Sequence, residues 1–213
     1  MSRLTLLLTL LSVSPAFAGP PAPTTQQVVA EVKAAYAGTT SLRAEFVQVV
    51  KSKSTGKEVR EKGRIELERP RKMRVEMGTP TQQLMVTDGS SMWVYSVKDK
   101  VAAQMPDLGQ GSGAGVVLED LSRIDEVFNV EILPGKNDRQ VVAKLTPRTP
   151  GPFASLLLTF NRKKYELDAL QLTSATGDVT EMRFNGVRTN QDIPDTDFTF
   201  TPPAGVSVTK AGP

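Results

Sequence analysis

Between Arg64 and Met77 the chain reads RIELERPRKMRVEM, and its alternation constrains the fold more than any other stretch. Ile65, Leu67, Met73, Val75 and Met77 occupy odd positions, while Glu66, Glu68, Lys72, Arg74 and Glu76 occupy even ones. A period of two belongs to strands with one apolar and one charged face. Pro70, which cannot donate to a ladder, marks the turn between two of them. Arg69 and Arg71 break the pattern. Parity puts both on the apolar face where the chain turns, a place in which a guanidinium is tolerated only with hydrogen-bond partners.

The neighbouring segments continue in the same style. AEFVQVVKS, EKGRIELE, RKMRVEM, QQLMVTD, SMWVYSV and KVAAQM are predicted strands with short connections, and TDGS (Thr87 to Ser90) is a hairpin signal, so an antiparallel meander is expected. Ahead of them, TTQQVVAEVKAAYAG predicts a helix with Thr24 or Thr25 as N-cap and Gly38 past its end. Its apolar face carries Val28, Val29, Val32, Ala35 and Tyr36. After the glycine-rich LGQGSGAG (108–115), Val117, Leu118, Leu121, Ile124, Val127 and Phe128 make a second helical stripe. Strands then resume through NVEIL, QVVAKL, SLLLTF, LDALQLTS, VTEMRFNGV and FTFTPP. The expected architecture is mainly β, a curved sheet with helices over one face.

The first 18 residues, MSRLTLLLTLLSVSPAFA, have one arginine, an apolar run from Leu4 to Val13, Pro15, and small residues at Ala16 and Ala18. This is the pattern of a secretory signal peptide cleaved after about Ala18. Residues 19–213 then form one exported domain, and no later segment is apolar for long enough to span a bilayer. No cysteine follows the cleavage site, so no lipid anchor is expected there. The mature net charge stays near +2, with its basic excess concentrated in Lys51–Arg74, which argues for a solvated, edge-protecting surface and against a nucleic-acid partner.

With no cysteine and no histidine, Ser-His-Asp and Cys-His nucleophile systems are excluded, as are imidazole or thiolate zinc sites. Neither a catalytic group, a metal nor another cofactor is expected. Gly109, Gly111 and Ala114 satisfy G-x-G-x-x-A, but no parallel βαβ unit surrounds them, so they read as a hinge. Asp192, Asp195 and Asp197 lack the glycine and terminal glutamate of a calcium loop and read as a solvated turn. Asp88, Asp168 and Asp178 lie in turn-like contexts that bring no two of them together. The methionines Met73, Met77, Met85, Met92, Met105 and Met182 fall in or beside strands. Ordinary core packing accounts for any one of them; as a set they suit a cavity that accepts flexible apolar chains.

AEFVQVV (Ala44 to Val50), ERP (Glu68 to Pro70), VTDGSSMWVYS (Val86 to Ser96) and FTFTPPAGVSV (Phe198 to Val208) together resemble the LolA family of periplasmic outer-membrane lipoprotein carriers, in the family's order and across nearly all of the mature chain. The resemblance implies an incomplete antiparallel β-barrel, a strongly curved sheet whose hydrophobic concave face is covered by helices. It implies a monomeric periplasmic chaperone that takes the acyl chains of lipoproteins from an inner-membrane lipoprotein-releasing ABC transporter and delivers them to an outer-membrane receptor lipoprotein.

On that resemblance the expected acyl-chain cavity comprises Phe46, Ile65, Leu67, Met73, Val75, Met77, Leu84, Val86, Met92, Val94, Leu118, Leu121 and Phe160. Arg69 matches the arginine whose bonds to lid backbone groups hold the empty cavity shut, whereas Arg71 matches no such requirement and snorkels outward. The alternative for Arg69 is a solvent-facing position beside Glu68. Met73 and Val75 stand where well-known members carry aromatics, so a softer lining is expected. Two competing functions use the same half-barrel: a carrier of another lipid or glycolipid, and an envelope-stress sensor module.

Overall fold

The computed structural model describes residues 23–106, 121–150 and 153–210. Helix α1 (Thr25–Ala37) begins at Thr24, whose hydroxyl accepts from the Gln27 amide while the Gln27 side chain returns to the Thr24 backbone, a reciprocal capping box. Val28, Val32 and Tyr36 recur every fourth residue and are buried; Ala35, expected beside them, is exposed.

Twelve strands follow: β1 (Ser41–Lys51), β2 (Glu58–Glu68), β3 (Lys72–Met77), β4 (Gln83–Asp88), β5 (Ser91–Ser96), β6 (Val101–Pro106), β7 (Phe128–Pro134), β8 (Gln140–Pro147), β9 (Phe153–Asn161), β10 (Leu167–Ser174), β11 (Val179–Thr189) and β12 (Ser207–Lys210). They form one curved, open sheet in the order β12-β6-β5-β4-β3-β2-β1-β11-β10-β9-β8-β7. Two meanders meet where β1 pairs with β11, and only β12 runs parallel to its neighbour, β6.

Two elements differ from expectation. The second helical stripe is, from Leu121 onward, a 3₁₀ turn (Leu121–Arg123) and one turn of helix, α2 (Ile124–Val127); Phe128 already opens β7. From there Phe128, Val130 and Ile132 alternate, and the period of two prevails over the period of 3.6. FTFTPP forms no strand. Asp195–Phe198 is a 3₁₀ turn, and the last strand starts beyond Pro202 and Pro203, whose missing N–H groups cannot serve a ladder.

Directly opposed residues share a face of the sheet. Ala103, Val94, Met85, Val75, Ile65 and Ala44 therefore make one row across six strands, and Gln48, Met182, Leu170, Leu158, Ala143 and Ile132 another across the other half. This concave face, with α1 and Leu121 and Ile124 against it, is the main core. Phe46 stands opposite Gly63, where a Cβ would overlap both the Phe46 ring and the Glu76 carbonyl oxygen. Gly63→Ala should therefore cost about 1–3 kcal/mol by overpacking, read from the urea midpoint; an unchanged midpoint would contradict this close approach.

The convex face has a smaller core of its own. Val86 and Leu84 lie under the C-terminal segment, Phe200 packs on Trp93 and Tyr95 with centroids 5.5 and 5.3 Å apart, and Lys72 sits over the Phe198 ring. Asp195 pairs with Lys72 at 2.6 Å and Asp197 with Arg43 at 3.2 Å, so these aspartates clamp the segment to the sheet. Arg43 Nε also approaches Glu66 at 3.0 Å, as an ion pair without hydrogen-bond alignment.

Glu76, buried on this side, accepts from Arg64, Arg74 and Thr81. Burial pushes its carboxyl up, but those three donors outweigh it and hold the group below the usual carboxylate range. A depressed carboxyl contributes stability above its unfolded pKa and loses it as pH falls through the folded one. Glu76→Ala should thus cost on the order of 1.5–3 kcal/mol near neutrality. The gap to the parent should close in acid, as urea unfolding at several pH values would show.

Candidate functional site

All six methionines among the described residues point to the concave side. Met92 opposes Met105 and Thr87, Thr87 opposes Met73, Met85 opposes Val75, Met77 opposes Gly63, and Met182 opposes Gln48. Met73 and Met182 are buried, while Met77, Met85 and Met92 are half-buried at the margin of the core. Gln48 donates its side-chain N–H to the Met77 sulfur at 3.8 Å, a weak bond that fits their common face. Unbranched thioethers have three rotatable bonds and a polarisable sulfur, so this surface can repack around apolar chains of different outline.

Of the predicted lining residues, Phe46, Ile65, Leu67, Met73, Val75 and Phe160 are buried in the concave core, and Met77, Met92 and Val94 are half-buried on the same face. Leu121, 2% exposed, belongs to the covering layer. Leu118 and the Gly109, Gly111, Ala114 motif lie outside the described residues. Leu84 and Val86 are a correction: they oppose Glu76 with Tyr95 and Arg74 with Trp93, and so belong to the convex core. Met85 and Met105 take the concave positions instead, with Phe184, Leu158 and Leu170 from the other half of the sheet. The hairpin carried this signal. With Gly89 and Ser90 as a two-residue turn, Thr87 must face Met92 and Met85 must face Val94, so Leu84 and Val86 cannot share a face with Met92 and Val94.

Arg69 follows β2 directly and keeps its parity. Its backbone N–H donates to Thr40 O at 2.8 Å, and its half-buried guanidinium donates from Nη1 to Tyr36 O at 3.5 Å, the long limit for such a bond. That carbonyl belongs to the last turn of α1, where a cation also meets the negative end of the helix dipole. Arg71 departs from its parity. Arg69, Pro70 and Arg71 form the loop between β2 and β3, and Arg71 is exposed with φ 61°, so the alternation does not run through it.

The acidic candidates have local work. Asp88 accepts from the Ser90 and Ser91 amides of the hairpin, Asp178 from the Lys53 amide, and Asp168 from Gln140 at 3.4 Å. Among the described residues no three carboxylates are grouped to hold a metal ion.

Comparison with known proteins adds to this geometry. The family described as Outer membrane lipoprotein carrier protein LolA matches residues 37–201. An outer-membrane lipoprotein carrier protein from Chromobacterium violaceum is 32% identical over 206 residues, covering 95% of this chain and 97% of that one. One from Nitrosospira multiformis is 34% identical over 171 residues, covering 79% and 81%. A crystal structure of an uncharacterized conserved protein from Thermus thermophilus aligns with TM-score 0.52 at 14% identity, over 87% of this chain and 98% of that one, a likeness of fold alone.

Proposed function

We propose a function from the premise that this chain belongs to the LolA family of outer membrane lipoprotein carrier proteins: it is a periplasmic carrier whose concave face takes up lipoprotein acyl chains. The observation that carries this reading is the convergence of six methionines on the concave face that α1 covers, five from the consecutive strands β3–β6 and Met182 from the distant β11. An acyl chain laid on that face loses its contact with water at about 0.8 kcal/mol per methylene, so many methylenes hold cargo without any single strong contact. This is chaperoning and transport, not catalysis.

The leader Met1–Ala18 directs export and is removed, leaving one domain over 19–213. Among the described residues no helix is long and apolar enough to cross a membrane. Cargo arrives from an inner-membrane lipoprotein-releasing ABC transporter and leaves to an outer-membrane receptor lipoprotein, the protein acting as a monomer. Arg69, on the carbonyl of the last α1 turn, is the latch that favours closure over an emptied face. Titration with an environment-sensitive fatty-acid probe tests the reading: saturable binding by the folded parent is expected, and no binding would overturn it. Mass spectrometry of the protein taken from periplasm under non-denaturing conditions then separates lipoprotein cargo from another lipid.

A further inference from the structure

Tyr36 is tied in two directions from within α1. Its side chain is 3% exposed, and its hydroxyl accepts from the Leu167 amide at 3.0 Å, a buried bond between residues 131 apart in sequence. Leu167 opens β10 next to a register irregularity in the β9–β10 ladder, so a tyrosine from the covering helix serves a backbone N–H at an interrupted point of the sheet. The Tyr36 carbonyl meanwhile accepts from Arg69 Nη1 and from the Thr39 amide. Strand β10 and strand β2 are separated by β1 and β11, so one residue joins the end of the helix to two distant parts of the sheet.

A second polar tie along α1, one turn before Tyr36, is of a different kind. Lys33 pairs with Asp125 of α2 at 2.9 Å, but the side chains are 36% and 47% exposed, and such a pair is screened by salt and weak. Burial pushes the Tyr36 hydroxyl up to about 12, with the Leu167 hydrogen bond opposing, so it stays protonated and neutral through the physiological range.

We infer that Tyr36 is the pivot of the covering helix: its hydroxyl anchors the C-terminal turn of α1 to β10, and that anchored turn presents the carbonyl on which Arg69 closes. The inference rests on the carrier reading above and assigns to Tyr36 a positioning role in uptake and release. Opening then lifts the N-terminal part of the helix, held through the apolar packing of Val28 and Val32, while the Tyr36 end stays in place. Losing the anchor lets the acceptor carbonyl drift from Arg69 and weakens the closed state.

Tyr36→Phe keeps the ring and its burial and deletes only the hydroxyl. Amide hydrogen exchange by NMR should show the Leu167 N–H losing protection by on the order of tenfold, since a buried N–H has lost its acceptor. In Arg69→Leu, where the hydroxyl remains, that protection should persist. Release of the fatty-acid probe into excess acceptor vesicles should slow about five- to tenfold in Tyr36→Phe, because a weaker closed state competes less with cargo. Combined with Arg69→Leu the slowing should be less than additive, both changes acting on one contact. Phe198→Leu on the convex core supplies a comparably destabilised protein whose release rate should match the parent. Unchanged Leu167 protection, or release as fast as the parent, would overturn the pivot while leaving the carrier reading intact. Equal slowing in Phe198→Leu would reduce Tyr36 to a structural residue and likewise overturn it. A parent that binds no probe would remove the carrier reading, and the pivot's role in release with it.

Discussion

Met77→Asp should weaken binding of an environment-sensitive fatty-acid probe by about a hundredfold or more. Met77 lies half-buried on the concave face against Gly63 and Gln48, at the margin between the closed core and the methionine surface. Its partial exposure lets an aspartate be accommodated in the unloaded protein without unfolding it. Acyl chains laid over the same position would strip water from a carboxylate left with neutral side-chain amides such as those of Gln48 and Gln83, its cross-strand partners Gly63 and Gln83 carrying no positive charge. Burying a polar group with poor compensation costs roughly 2–7 kcal/mol, and each 1.4 kcal/mol is tenfold in affinity. Val49→Asp introduces the same charge on β1 but on the convex side, where Val49 opposes Arg60 and Glu181, and should bind the probe like the parent. Equal loss in both variants would show that stability, not the concave face, controls binding.

Arg69→Leu should pass cargo to a receptor roughly ten- to a hundredfold more slowly than the parent while still accepting it. On the proposed latch role, the charge-assisted bond from the guanidinium to the Tyr36 carbonyl contributes on the order of 1.5–3 kcal/mol to the closed state, enough to move an open/closed equilibrium by that factor. On the proposed function, closure competes with cargo for the same apolar face, so weakening it lets cargo stay longer. Leucine keeps an apolar stem at the end of β2 and removes only the donors. Arg71→Leu is the control: it changes an exposed loop residue that shares the sequence pattern but not the position, and transfer should be near normal. Following labelled lipoprotein from loaded carrier to receptor separates the outcomes. Arg69→Leu and Arg71→Leu behaving alike would remove the latch role from Arg69.

The strand pattern was legible because alternation is local: each residue's face follows from its neighbours two positions away. Ile65, Leu67, Met73, Val75 and Met77 all lie on the side their parity assigns. The capped helix was equally legible, from Thr24 or Thr25 ahead of it, Gly38 past its end and the fourfold spacing of Val28, Val32 and Tyr36; the structure selects Thr24. Leu84 and Val86 were misassigned because β4 and β5 are apolar on both faces. There periodicity is silent, and only the hairpin register decides which side is which.

By itself, then, the sequence determined most of the strands and the first helix with its caps, properties of residue type and short-range spacing. Tertiary structure alone decided that Met182 and Met77 would look into the same space, that the C-terminal segment would build a second core under Phe198 and Phe200, and that Tyr36 would reach Leu167. Each of these depends on contacts between residues tens to more than a hundred positions apart. Such contacts are selected by the sheet order and by the apolar area that only the closed set of strands can bury, and no local pattern encodes them.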